Sequence, residues 1–201
     1  MIRTFFLIVL SIALLTSCTT LPPAPPAVKQ SWKTRQSGLA QVQSWQLSGK
    51  IAVITAQDSG SATVDWMQNR QQFVISLFGP LGMSGLKLSG QPGAVTLKTS
   101  DGKTFSASTP EELLQQQWGW RLPVSYLLYW VRGLPVPGIP QHSTFDAYQR
   151  LSLLDQSDWH IQYTSYTTHR LGQHLIELPD RISINSANFK TKIVIYDWKI
   201  N

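Results

Sequence analysis

Trp45-Gln46-Leu47-Ser48-Gly49-Lys50-Ile51-Ala52-Val53 alternates apolar or small side chains with polar ones at a period of two. Extended chain points successive side chains to opposite sides, so this is the signature of a strand with one buried face. Toward the C-terminus the pattern returns. Ala62, Val64 and Trp66 alternate with Thr63, Asp65 and Met67, and Phe73, Ile75 and Leu77 point one way. Leu86 and Leu88 follow, then Val95 and Leu97, then Phe105. Turn residues punctuate the series at Gln57-Asp58-Ser59-Gly60, Asn69-Arg70, Gly79-Pro80-Leu81-Gly82, Gln91-Pro92-Gly93 and Asp101-Gly102. Short strands at roughly 10-residue spacing with turns between them predict an antiparallel meander.

The period then changes. Thr109-Pro110-Glu111-Glu112 reads as a helix start, with Thr109 as cap, Pro110 at the first helical position and Glu112 completing a capping box. A second helix is predicted from Pro123 to Arg132, stopped by Gly133. Its Val124, Leu127, Leu128, Tyr129, Trp130 and Val131 leave almost no polar face, so it is either buried on two sides or faces something apolar. After Pro135-Val136-Pro137-Gly138 strands resume: Leu151–Asp155 and Trp159–Thr164 around Gln156-Ser157-Asp158, then Arg181–Ser186 and Lys190–Trp198 around Ala187-Asn188. Strands, a helical insert and strands again predict one antiparallel sheet curled into an open barrel, plugged or covered by helices.

Upstream of Trp45, Ser31–Val42 is polar apart from Trp32 and Leu39 and reads as a short helix. Before it, the prolines of Thr19–Gln30 favour an extended tether. Residues 1–17 carry Arg3, an apolar run and then Leu15-Thr16-Ser17 ahead of Cys18, the only cysteine of the chain. A positive start, an apolar middle and small residues before the cut describe a secretory signal. A lone cysteine there resembles the bacterial lipobox, in which the thiol takes a diacylglyceryl group and becomes the mature N-terminus. The expected organisation is a signal peptide over 1–17, a lipidated cysteine and tether over 18–30, and a single domain over 31–201.

The formal charge is +6 and the basic residues are scattered, with no stripe or basic–aromatic alternation of the kind that binds nucleic acid. Mild positive charge suits anionic headgroups or an acidic partner, and it equally serves solubility. Only 14% of residues are charged, while there are eight tryptophans. Enzyme signatures are missing: there is no nucleophile elbow or phosphate loop. Ser84-Gly85-Leu86-Lys87 and Ser100-Asp101-Gly102-Lys103 match S-x-x-K without its companion motifs. His142, His160, His169 and His174 lack metal-ligand spacing. No cofactor and no metal are expected, and binding of something apolar fits better than catalysis. Val64, Trp66, Phe73, Ile75, Leu77, Leu86, Leu88, Leu127, Tyr129 and Trp130 are the candidate lining of an apolar cavity between sheet and helices. A dry packed core would produce the same pattern.

In order and spacing, several pieces resemble the LolB family of Gram-negative outer-membrane lipoprotein receptors. They are the Cys18 lipobox, WQLSGK at Trp45–Lys50, FVISLFGPLG at Phe73–Gly82, Leu86-Lys87-Leu88 and Gln91-Pro92-Gly93. YLLYWVRGLP at Tyr126–Pro135 and Tyr196-Asp197-Trp198 complete the set. The resemblance implies a mostly β fold, an open antiparallel half-barrel enclosing a hydrophobic cavity under an α-helical lid. It implies a monomer, lipid-anchored to the outer membrane and facing the periplasm. Such a protein is not an enzyme. It accepts acylated lipoproteins from the periplasmic carrier LolA and inserts them into outer-membrane lipid without an energy source. The family's exposed functional leucine falls at Leu81, flanked here by Gly79 before the turn and Met83 after it. Thr19, in place of an acidic residue after the cysteine, favours outer-membrane sorting. The competing readings are a structural or assembly lipoprotein with a filled core, and an envelope hydrolase, for which no catalytic pair is evident.

Overall fold

In a computed structural model, which describes residues 27, 29–56, 59–79 and 85–200, the alternating segments pair into one eleven-stranded antiparallel sheet. The first six strands are β1 (Ser44–Thr55), β2 (Ser59–Asn69), β3 (Gln72–Phe78), β4 (Gly85–Gln91), β5 (Ala94–Lys98) and β6 (Thr104–Ala107). The other five are β7 (Gln141–Phe145), β8 (Leu151–Gln156), β9 (Trp159–Leu171), β10 (His174–Ser186) and β11 (Phe189–Ile200). Helix α1 (Trp32–Gln41) precedes them, and α2 (Pro110–Trp118) and α3 (Val124–Trp130) lie between β6 and β7.

The spatial order is β6-β5-β4-β3-β2-β1-β11-β10-β9-β8-β7, so two meanders are joined in the middle by β1 and β11. β6 and β7 are the two edges and do not pair, which leaves the curled sheet an open half-barrel. The β1·β11 seam shifts register between Ser48 and Gly49. A Cβ at Gly49 would lie 2.2 Å from the Val194 carbonyl oxygen, so glycine is what lets the backbones approach there.

The helices are built as local chemistry requires. Thr109 Oγ1 accepts the Glu112 amide at 3.1 Å, and Pro110 occupies the first turn of α2. The Glu112 carboxylate reaches the Ser108 amide (3.1 Å), one residue earlier than a standard capping box. α3 ends through Gly133 at φ 74°, whose amide donates to Trp130 O while that of Leu134 donates to Tyr129 O. α1 has little apolar surface to bury, and a buried ion pair holds it: Arg35 Nη1 donates to Glu177 Oε2 at 2.8 Å, and Arg150 Nη1 donates to Glu177 Oε1 at 2.9 Å.

The two halves of the half-barrel are filled differently. Over β8–β11, Trp130 is wholly buried, in ring contact with Tyr126 and Trp159. Its indole N–H donates to Gln156 Oε1 at 3.0 Å. Gln156, expected in a turn, is the last residue of β8 and points inward. Its Oε1 also accepts from the Val136 amide, and its Nε2 donates to Val136 O and Ile139 O. Over β1–β5 no described residue forms such a plug, and a cavity remains among the described residues.

Candidate functional site

Residues directly opposite in an antiparallel ladder project from the same face. Leu47, Trp66, Ile75, Leu88 and Leu97 therefore stand side by side across β1–β5. The next row toward the β1–β2 and β3–β4 hairpin ends is Gly49, Val64, Leu77 and Leu86. After it come Ile193, Ile51 and Ala62, then Val53 and Gly60. Side-chain bulk falls along this sequence of rows, from Trp and Leu to Ala and Gly, so the floor drops away from the roof toward the hairpin ends.

The roof is Leu114 and Trp118 of α2, Trp120 and Leu122 of the connection, Val124 and Leu127 of α3, and Val131. Between floor and roof lies a cavity of about 290 Å³, near the lower end of the ~300–1,000 Å³ typical of small-molecule sites. Among the described lining residues the only hydroxyls are those of Ser59 and Ser61, which with Gly60 and Gly79 lie at the hairpin end, taken as the mouth. Trp118, 37% exposed, stands over that mouth. None of the described lining residues is ionisable. The wall can exclude water and make dispersion contacts, and it cannot bind a charged headgroup or move a proton. An alkyl chain is the ligand class it fits.

Seven of the ten expected lining residues, Val64, Trp66, Ile75, Leu77, Leu86, Leu88 and Leu127, stand in this wall. Three do not. Phe73 shares the inner face of β3, but it sits at the strand's far end, away from the mouth and beyond Ile75. Tyr129 projects from another side of α3 against Arg132, whose guanidinium carbon lies 5.5 Å from the ring centroid. Arg132 in turn donates to Val42 O (2.7 Å) and Leu128 O (2.9 Å), tying the end of α3 to the end of α1. Burial lowers the Arg132 pKa, and bonds to carbonyl oxygens at a helix C-terminus compensate the charge. Trp130 belongs to the filled half. Leu47, Ile51, Val53 and Leu97 also line the wall and carry the same alternation; Leu47 and Leu97 share the row of Trp66, Ile75 and Leu88, while Ile51 and Val53 lie in the two rows nearer the hairpin ends. Cys18 and Leu81 lie outside the described residues.

The other chemical candidates do not converge. Ser100-Asp101-Gly102-Lys103 forms the β5–β6 connection, where Lys103 pairs with Asp101 at 2.8 Å. Hydrogen bonds from Lys103 and Thr99 hold the Asp101 pKa down at about 2. His160 sits on Asp155 at 2.6 Å, both exposed. No group of three or more His, Cys, Asp and Glu comes together among the described residues. None of the described helices is long and apolar enough to cross a membrane.

Comparison with known proteins sharpens the picture. The family model "Outer membrane lipoprotein LolB" matches residues 43–198. An outer-membrane lipoprotein LolB of Pseudomonas paraeruginosa is 40% identical over 199 residues, covering 96% of this chain and 95% of the relative. One from Pseudomonas putida is 39% identical over 170 residues, covering 85% and 81%. Among solved structures, a putative outer membrane lipoprotein-sorting protein domain from Vibrio parahaemolyticus superposes with a TM-score of 0.52 at 8% identity, covering 85% of this chain and 89% of that one. A DUF1329 family protein from Desulfovibrio piger superposes with 0.53 at 6% identity, covering 88% and 94%. These two structures share the fold of the half-barrel. The family match across β1–β11, with relatives near 40% identity along almost their whole length, establishes that this chain belongs to the LolB family of outer-membrane lipoproteins.

Proposed function

We propose that the protein is anchored to the outer membrane through Cys18, accepts acylated lipoproteins from the periplasmic carrier LolA, and inserts them into the bilayer. The observation that supports this most is a cavity walled by apolar rows with no ionisable group among the described residues. Each methylene moved from water into such a wall contributes about 0.8 kcal/mol. A long acyl chain therefore gains enough from burial to leave one apolar site for another without nucleotide hydrolysis. Transfer runs down a gradient of acyl-chain affinity, from carrier to cavity to bilayer.

Each part has a physical task in this reading. The rows around Val64, Leu77 and Leu86 hold the chain. Trp118 and Trp120 shield it from water. The Pro-rich segment up to Gln30 spaces the domain from the bilayer. Leu81 lies in sequence between Gly79, at the cavity rim, and Gly85, the first residue of β4. An apolar side chain there is placed to touch lipid during unloading. Burying one leucine is worth about 1.5–3 kcal/mol, enough to bias contact and too little to anchor.

The direct test mixes vesicle-reconstituted full-length protein with LolA loaded with a fluorescent lipoprotein, without nucleotide. Label should move from the carrier to the vesicles. Label that stays on the carrier, with the receptor folded by circular dichroism, overturns the proposal.

A further inference from the structure

The mouth end of the half-barrel carries a second feature on its outer face. Ile51, Val53 and Ile193 line the cavity, so their sequence neighbours Lys50, Ile54 and Lys192 project outward, and so does Lys190, the partner of Ile54. Ile54 is directly opposite Lys190, and Ala52 is opposite Lys192, which puts Lys50 diagonal to Lys192. Thr63 links Lys50 to Phe78 in the same outward row. The three lysines are exposed, and none has an ion-pair partner among the described residues. Ile54 is 53% exposed and Phe78 37%. The acids on this face are Asp65, which accepts from the Ser48 hydroxyl at 2.6 Å, Asp155, paired with His160, and Asp197, exposed and opposite Ser48; further cations on it are Arg181, opposite Val194, Lys87, in the row of Asp65, and Lys199, opposite Gln46. The β1–β2 connection adds one acid in sequence, Asp58, outside the described residues, and the balance stays basic.

We propose that Lys50, Lys190 and Lys192, with Ile54 opposite Lys190 and Phe78 two strands to the side of Lys50, form a docking surface for an anionic phospholipid bilayer that turns the cavity mouth toward the membrane. The proposal rests on the acyl-chain reading of the cavity. Its support is charge complementarity combined with the spacing of the apolar groups. Isolated large apolar side chains among lysines do not make the closed, desolvated centre that a protein partner needs. They suit a headgroup layer, where a lysine ammonium meets phosphate while its stem and the neighbouring isoleucine reach the acyl boundary. Each lysine near an anionic surface raises partitioning roughly fivefold.

The experiment uses the full-length, lipid-anchored protein in vesicles. Cys18 is the only native cysteine and is acylated in this reading, so one introduced cysteine carries a fluorophore. Thr63→Cys places it within the patch, and Gln71→Cys places it at the opposite end of the sheet. With nitroxide-labelled lipid as quencher, the Thr63→Cys label should be quenched in phosphatidylcholine vesicles containing phosphatidylglycerol, and not in pure phosphatidylcholine or in high salt. The Gln71→Cys label should stay bright throughout. Lys50→Gln, Lys190→Gln and Lys192→Gln should each lower the docked-to-free ratio roughly fivefold. The single variants carry the test if the triple variant is unstable. Equal quenching on neutral and anionic vesicles, or none, overturns the proposal. So does a set of lysine variants that slows cargo acceptance from LolA and leaves quenching unchanged, since the patch would then dock an acidic protein. Cargo acceptance by the unaltered protein, followed in parallel, separates failure of this surface from failure of the cavity reading.

Discussion

Gln156 shows how much can rest on one side chain. Its amide accepts from Trp130 and Val136 and donates to Val136 and Ile139, so all of its bonding capacity shown here is spent inside the filled half. Gln156→Leu keeps the volume and strands those groups. Each buried group left unpaired costs about 1–3 kcal/mol, and thermal unfolding of the variant should show a loss on the order of 3 kcal/mol or more. A melting curve matching wild type would contradict the assigned network. Glu177→Leu leaves Arg35, 4% exposed, without its carboxylate. Breaking a buried pair costs roughly 3–5 kcal/mol, so this variant should lose comparable stability in denaturant titration. Leu81→Glu tests the opposite kind of residue. Melting temperature and cargo acceptance should stay near wild type while incorporation into liposomes falls. If all three fall together, Leu81 is a packing residue. Leu81 is singled out by its match to the family's exposed leucine in a glycine-flanked turn, and it lies outside the described residues. Gln156 could not be singled out, since Gln-Ser-Asp reads locally as a turn. Nor could Arg35–Glu177, whose partners are 142 residues apart.

At the scale of elements, what was legible followed burial. β1 to β5 bury one face each, so their alternation was read correctly, as was the capped start of α2. β7 was not found because it is an edge strand, mostly exposed and mostly polar, with no face to imprint a pattern. The far halves of β9 and β10 were missed for a related reason. Beyond Ser165, β9 pairs with β10 alone and is half-buried on both sides, so no alternation survives. α3 was read nearly in place, and its almost wholly apolar surface has a specific cause. Leu127 roofs the cavity while Trp130 fills the neighbouring core. The cavity itself makes an element-level prediction. Ala62, in the half-exposed row near the mouth, has room for a larger side chain without displacing the deeper rows. Ala62→Trp should leave the melting temperature close to wild type. It should also displace at least two methylenes of a bound chain, at about 0.8 kcal/mol each, and so weaken cargo acceptance roughly tenfold or more. Unchanged acceptance by a folded variant would place the acyl chain elsewhere.

For the whole molecule, the decisive feature is that one sheet is packed in two ways. The β8–β11 half is plugged by α3 and the aromatic residues around Trp130, whereas the β1–β5 half is roofed and left hollow. The strand pattern of the sequence predicts a buried inner face in both halves and does not distinguish a plug from a void. That is why Trp130 and Tyr129, expected with Val64, Leu77 and Leu86, stand outside the hollow that those three line. The central claim is that the hollow half receives an acyl chain. The most direct measurement is photo-crosslinking with a lipoprotein whose acyl chain carries a diazirine, transferred from LolA to the full-length protein and mapped by mass spectrometry. Adducts should concentrate on Val64, Leu77, Leu86 and the roof residues Trp118 and Leu127. Adducts confined to the outer face or to the filled half around Trp159, with transfer intact, would contradict it.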